Sequence, residues 1–185
     1  MYKYKLHKTY KMKSIIAFIF ISIPFWALSQ NNKILIASHI EKLKNAKKYT
    51  LTIASALKEA QYEFKPVKSE MSFKEQLVHI GENMYWLSSN YISENANPLS
   101  TNKPNVKEMD KQNILAFIND AYEYAISALT QLDTNTLSKE FKWDEGKLNK
   151  YQILNLVQDH QTHHVGQLIV YLRLNNVEPP KYIGW

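Results

Sequence analysis

The chain has no cysteine, only four glycines and six prolines in 185 residues, and a single arginine, Arg173, among 23 lysines and arginines. Each scarcity excludes something. Without cysteine there is no disulfide framework, no thiolate metal ligand and no cysteine nucleophile. The few glycines and prolines sit between long periodic stretches, which speaks for helices and leaves no Gly-rich phosphate loop. Groove and phosphate readout lean on arginine, so no nucleic-acid partner is expected despite a formal charge of +6.

The basic surplus is also local. Lys3, Lys5, Lys8, Lys11 and Lys13 precede any acidic residue. The apolar run Ser14–Leu28 follows, too short for a stable membrane span. Ala27 and Ser29 supply the small residues of a cleavage site ahead of Gln30. Residues 1–29 thus read as a secretory signal peptide, with Met12 an alternative start and an uncleaved N-terminal anchor the competing reading. The absence of cysteine after the run excludes a lipid anchor. The expectation is an exported protein, periplasmic or secreted and free of the membrane after cleavage, whose residues 30–185 form one domain close to neutral charge.

That domain shows four long periodic segments. The first runs from about Ile34 to Ala60, with Ile36, Ile40, Leu43, Tyr49, Ile53 and Leu57 at spacings of three and four. The second opens at Ser72, whose partner Glu75 completes a capping-box pattern, and runs to about Ile92. The third spans roughly Val106 to Leu132. The fourth starts near Leu148, with Asn149 as its cap, and ends at Asn175-Asn176 ahead of Pro179-Pro180. Residues 133–147 form a connector holding Phe141 and Trp143, in the manner of a flap. The fold class is all-α, a four-helix bundle, with connectors long enough for crossovers.

Chemistry concentrates in the last helix, in Asp159-His160-Gln161-Thr162-His163-His164. Side chains four apart share a helix face, about 5–6 Å between Cβ atoms. On a wheel of about 100° per residue, His160 and His164 fall within the stripe Ile153, Leu156, Val157, Leu168, Tyr171 and Leu174; Gln167 shares that face and His163 stands at its rim. A lone buried histidine is usually a hydrogen-bonded core residue. Two of them four apart both resist protonation and both need ring-nitrogen partners, which one divalent metal would satisfy. The zinc-protease pattern is excluded, since Gln161 replaces the required glutamate. A third ligand must come from another helix. His79 is the candidate, although it lies roughly 120° from its helix's apolar stripe. His39 is a weaker one.

The stretches Met71–His79, Asp159–Gln167 and Pro179–Tyr182 resemble the DinB-like family of metal-binding four-helix bundles. The resemblance covers about Lys33 to Tyr182. It implies that His79, His160 and His164 hold a divalent metal, commonly zinc or nickel. Family members often carry arginine where this chain has Val165, so any contact of that arginine is lost here. The resemblance further implies a metalloenzyme, a thiol-dependent S-transferase that uses a low-molecular-weight thiol on a small molecule. Export weighs somewhat against that, because thiols are plentiful in cytosol and the periplasm is oxidising. A hydrolase using metal-activated water, or a non-catalytic bundle that binds metal or ligand, are the alternatives. Glu82, Asp159, His163 and Gln167 are candidates to orient imidazoles or relay protons. Trp86, Trp143 and Tyr171 are candidate pocket walls. Ile169, Val170 and Leu172 widen the apolar surface of the last helix, which would suit a homodimer.

Overall fold

The structure, a computed structural model, describes residues 6–184, with side chains from residue 31 onward. The expected signal segment, residues 1–29, falls outside the residues whose side chains are described. Four helices make the body: α1 (Leu6–Ala56), α2 (Phe73–Leu87), α3 (Lys111–Thr130) and α4 (Lys150–Leu174). Among the described residues no helix is long and apolar enough to cross a membrane.

Local chemistry sets the helix starts. At α2 the Glu75 amide donates to Ser72 Oγ at 3.3 Å while the Ser72 amide donates to Glu75 Oε2 at 2.6 Å. Lys65 pairs with the same carboxylate at 2.8 Å and, with the Ser72 amide, holds it below the usual carboxylate range. Asn149 and Gln152 make the equivalent box at α4. The third helix begins later than its periodicity suggests, because Asp110 accepts from the Asn113 amide and caps it there.

Helices α1 and α2 each pack on both α3 and α4, so α1 lies diagonally from α2, and α3 from α4. The connectors 57–72 and 131–149 therefore cross the bundle, as their length allows. Ile53, Leu57, Phe73, Leu77, Ile80, Ile114, Ile118 and Ile153 fill the centre, fully buried. One polar chain runs through it. Thr50 donates to the Tyr122 hydroxyl at 2.9 Å, which donates to Gln161 Oε1 at 2.9 Å, tying α1, α3 and α4 together.

The connector after α3 is a β-hairpin. Strands β1 (Glu140–Trp143) and β2 (Gly146–Asn149) pair antiparallel, with Trp143 opposite Gly146. Asp144 takes the left-handed conformation, φ 44°, that so tight a turn needs. Trp143 stacks near Trp86 and Tyr91, with ring centres 5.5 and 5.6 Å away, and pins the hairpin to the end of α2. That end widens into a π-helical turn, Ser88–Ser93, and stops at Glu94, which pairs with Lys139 and with Lys150. Lys150, only 3% exposed, also donates to the Ile92 carbonyl, so the start of α4 is fastened to the end of α2.

Two expectations about α4 need correction. Its buried face keeps Ile153, Val157, Leu168 and Tyr171 of the stripe read by hydropathy but extends to one side over Leu154, Gln161, Val165 and Leu172, while Leu156 is only half-buried and Leu174 is exposed. The cause is that α4 packs on α1 as well as α2, and glutamine takes core positions. Leu172 is fully buried rather than part of an outer apolar surface; on that side Val170 and Leu174 remain exposed.

Gly81 sits where α2 meets α3: a Cβ added there would come within 2.5 Å of Phe117 Cε1. Gly81→Ala is therefore expected to destabilise the protein. Overpacking costs about 1–3 kcal/mol, and the helical preference of alanine offsets only about 1. A lowered thermal midpoint would show it. A raised midpoint would mean that the Phe117 ring yields freely.

Candidate metal centre

The α2 capping box fixes the register that places Gln76 and His79 on the flank of α2 facing α4. His160 and His164 come from the edge of α4 facing α2. The three imidazoles of His79, His160 and His164 each offer a ligand atom, and these atoms lie within 4.8 Å of one another. Ring centres are 5.0 Å apart for His79 and His160, 4.6 Å for His79 and His164, and 4.5 Å for His160 and His164. His164 is buried; His79 and His160 are half-buried. His39, on α1, is not with them.

Burial, and then the neighbouring imidazoles, push His160 and His164 down to about 4. Both rings are therefore neutral at pH 7, the state a metal requires of its ligands. Three imidazoles gathered this closely in a partly buried site are a poor arrangement for their own sake unless something shares their ring nitrogens. The donor set fits a divalent ion of borderline softness. A tetrahedral ion with bonds near 2.0–2.1 Å would hold its donors about 3.3 Å apart, a contraction that ring rotation can supply.

His164 has a built support. Its Nδ1 donates to Gln76 Oε1 at 2.5 Å, which leaves Nε2 for the centre. Gln76 is 2% exposed, and its amide nitrogen donates to Gln167 Oε1 at 2.5 Å. Gln167 in turn donates to His163 Nε2 at 3.0 Å. Gln167 and His163 thus belong to the surroundings of the centre, and His163 stands exposed at the rim. Gln76 is a supporting residue that the apolar wheel hides. Its signal was the matched spacing of an amide three residues from a histidine on both helices, Gln76 with His79 and Gln167 with His164.

The remaining candidates divide. Glu82, one turn after His79, shares with it a cleft of about 350 Å³ that also takes in Lys65, Lys68, Met71 and Val78. Its Oε1 lies 3.4 Å from Lys103 Nζ as an ion pair but makes no hydrogen bond. Asp159 does not support the imidazoles. It is exposed and lines a separate cavity of about 140 Å³ on the α1 side of α4, with Tyr49 and Gln158. None of Trp86, Trp143 and Tyr171 lines the cleft at His79. The two tryptophans hold the hairpin, and Tyr171 donates to the Met71 carbonyl at 2.8 Å, anchoring the loop that borders the cleft.

A helical bundle in which three histidines from two helices converge, with a cleft beside one of them, is the architecture of a candidate metalloprotein. The chain belongs to the DinB family, whose sequence profile matches residues 29–183. It is 31% identical to the uncharacterized protein YjoA of Bacillus subtilis over 160 residues, covering 84% of this chain and 97% of that one. The crystal structure of that DinB-like protein superposes with a TM-score of 0.65 over 80% of this chain and 97% of its own, at 23% identity over the superposed residues. A DinB-like protein from Bacillus cereus superposes equally, TM-score 0.65, at 14% identity, over 78% of this chain and 95% of its own. These two likenesses show the fold.

Proposed function

We propose that the protein is a metal-dependent enzyme acting on a small molecule, with His79, His160 and His164 holding a divalent ion, zinc or nickel. The observation that carries this reading is the convergence of three imidazoles from two helices at the edge of an open cleft. Three protein ligands leave a coordination position free, the pattern of catalytic rather than structural sites. Bound there, the ion would supply Lewis acidity, lowering the pKa of a coordinated thiol or water.

The chain's own residues support a thiol-dependent transfer in two ways. It has no cysteine, so any thiol must arrive as a separate substrate. The cleft of about 350 Å³ falls within the range of small-molecule sites and is bordered by Lys68 and Glu82. Glu82, one turn from His79, is placed to accept or return a proton at Oε1. Hydrolysis is the second reading. It is favoured by the leader-like residues 1–29, on which we place the protein outside the cytoplasm, where free thiols are scarce.

The test is a titration of cobalt-loaded protein with low-molecular-weight thiols, alongside a screen of electrophiles and esters with and without thiol. Thiol transfer predicts a thiolate-to-cobalt charge-transfer band and turnover only with thiol. Ester turnover that ignores thiol would establish the hydrolase instead. Metal binding with neither activity would leave a binding protein.

A further inference from the structure

A neutral imidazole carries one N–H and one lone pair, and a buried neighbour decides which nitrogen has which. At His164 that neighbour is Gln76, and an amide can turn. Its carbonyl would hold the proton on Nδ1 and free Nε2 for the centre; its NH₂ would do the reverse. The orientation of Gln76 is therefore a functional variable.

We propose that Gln76 and Gln167 form a two-amide lock that fixes His164 in its Nδ1–H tautomer and so presents the Nε2 lone pair to His79 and His160. The proposal rests on the metal-binding reading above and goes beyond it. Gln76 is a positioning residue and touches no substrate.

Three contacts in series carry the argument. His164 Nδ1 meets Gln76 Oε1 at 2.5 Å, Gln76 Nε2 meets Gln167 Oε1 at 2.5 Å, and Gln167 Nε2 meets His163 Nε2 at 3.0 Å. All three donate in one direction, from the imidazole of His164 outward to the exposed His163. Turning Gln76 alone would set two carbonyl oxygens against each other on one side and two donors on the other. With Gln76 2% exposed, water cannot mend either contact. Both amides must turn together or neither does. His164 can therefore change tautomer only if both amides turn and the His163 ring changes with them or loses its contact. The lock also spans the α2–α4 seam, since Gln76 belongs to α2 and the other three residues to α4, so it aligns the helix of His79 with that of its partners.

The tautomers can be read in metal-free protein at pH 8 from long-range ¹H–¹⁵N correlations of the histidine rings. Zinc affinity is read separately by chelator competition. Wild-type His164 is expected as Nδ1–H. In Gln76→Met the preference is lost and zinc affinity falls about 10–100-fold, the usual cost of removing a ligand's hydrogen-bond partner. Gln76→Glu restores an acceptor. His164 keeps Nδ1–H, and zinc binding returns to within about threefold of wild type. Gln167 must then turn its NH₂ toward Glu, so its carbonyl faces His163, which switches to Nε2–H. A merely structural role for Gln76 would not move a ring one residue along on the surface. Should Gln76→Met fail to fold, the near-isosteric Gln76→Glu decides alone through the His163 switch.

Wild-type His164 found as Nε2–H, or a His163 indifferent to Gln76→Glu, would overturn the lock. The metal reading fails differently. Wild type would then bind no zinc, while the metal-free tautomers still report the amides.

Discussion

Alanine at His79, His160 or His164 is expected to lower divalent-metal affinity by about 10²–10³-fold in each case. That figure comes from dividing the 10–16 kcal/mol of a four-ligand zinc site into roughly equal shares. The geometry makes the three equivalent in kind, since their ligand atoms all lie within 4.8 Å of one another and no fourth His, Cys, Asp or Glu among the described residues joins them. It makes them unequal in a second readout. An ion held by His160 and His164 alone sits on one helix, whereas His79 belongs to α2. Only the complete set ties α2 to α4. Saturating metal should therefore raise the thermal midpoint of the wild type, by about 2.7 kcal/mol of stability at a hundred times the dissociation constant. His79→Ala should lose most of that gain even at metal concentrations that refill the α4 pair, because two histidines four apart can also bind the ion in the unfolded chain. His39→Ala is the control, because that ring stands on α1, away from the centre. Competition titrations with a chromophoric chelator, followed by melts with and without metal, would measure both effects. Wild-type affinity in His164→Ala would remove the centre from the protein's function. A midpoint indifferent to metal in the wild type would show that the ion does not bind the folded protein in preference to the unfolded chain.

How much of this could be read from the chain depends on what each residue packs against. The four helices were legible because their apolar positions recur at three and four, and because Ser72 with Glu75, and Asn149, announce two of the starts. The pair His160 and His164 was legible from spacing alone. His79 was not, because a wheel measures the angle from a single apolar stripe. Helix α2 has two buried flanks. Leu77, Ile80 and Met84 mark the apolar one, and Gln76, equally buried, belongs to the flank that meets α4. The need for a third ligand from another helix made His79 a candidate, and the family resemblance supported it against the wheel. Gln76 and Gln161 stayed hidden since hydropathy counts glutamine as surface, although both are almost fully enclosed and hydrogen-bonded. The hairpin escaped for a different reason. Its strands are four residues each, and the Asp144-Glu145 turn lacks the glycine that usually marks such a bend.

Acid is expected to act on the metal-free fold well above the carboxylate range. In the unfolded chain a histidine takes up its proton near pH 6.5, while in the fold burial and the neighbouring rings hold His160 and His164 to about 4. Between those values the unfolded chain binds more protons than the native one, so stability must fall as the pH falls from 6.5 toward 4. Burial and the charge of Lys42 lower His39 in the same sense, so the slope has a contribution from outside the centre. Glu75 and Glu94 are held low by Lys65 and by Lys139 with Lys150, and their losses come later, below the usual carboxylate pKa. Denaturation midpoints between pH 7 and 5 isolate the histidines. The slope should shrink in His160→Asn and again in the double variant with His164→Asn, leaving the share of His39. Metal loading gives the opposite-looking result from the same cause. Two ordinary histidines would cost a metal site about a thousandfold in affinity at pH 5 through proton competition. Two that titrate near 4 cost almost nothing there, so His160 and His164 should add little pH dependence to zinc affinity between pH 7 and 5, followed by a steep loss toward pH 4. A thousandfold drop in affinity already at pH 5, matched by a flat stability profile, would mean that these rings are solvated and titrate as in water, and the compact neutral cluster would have to be abandoned.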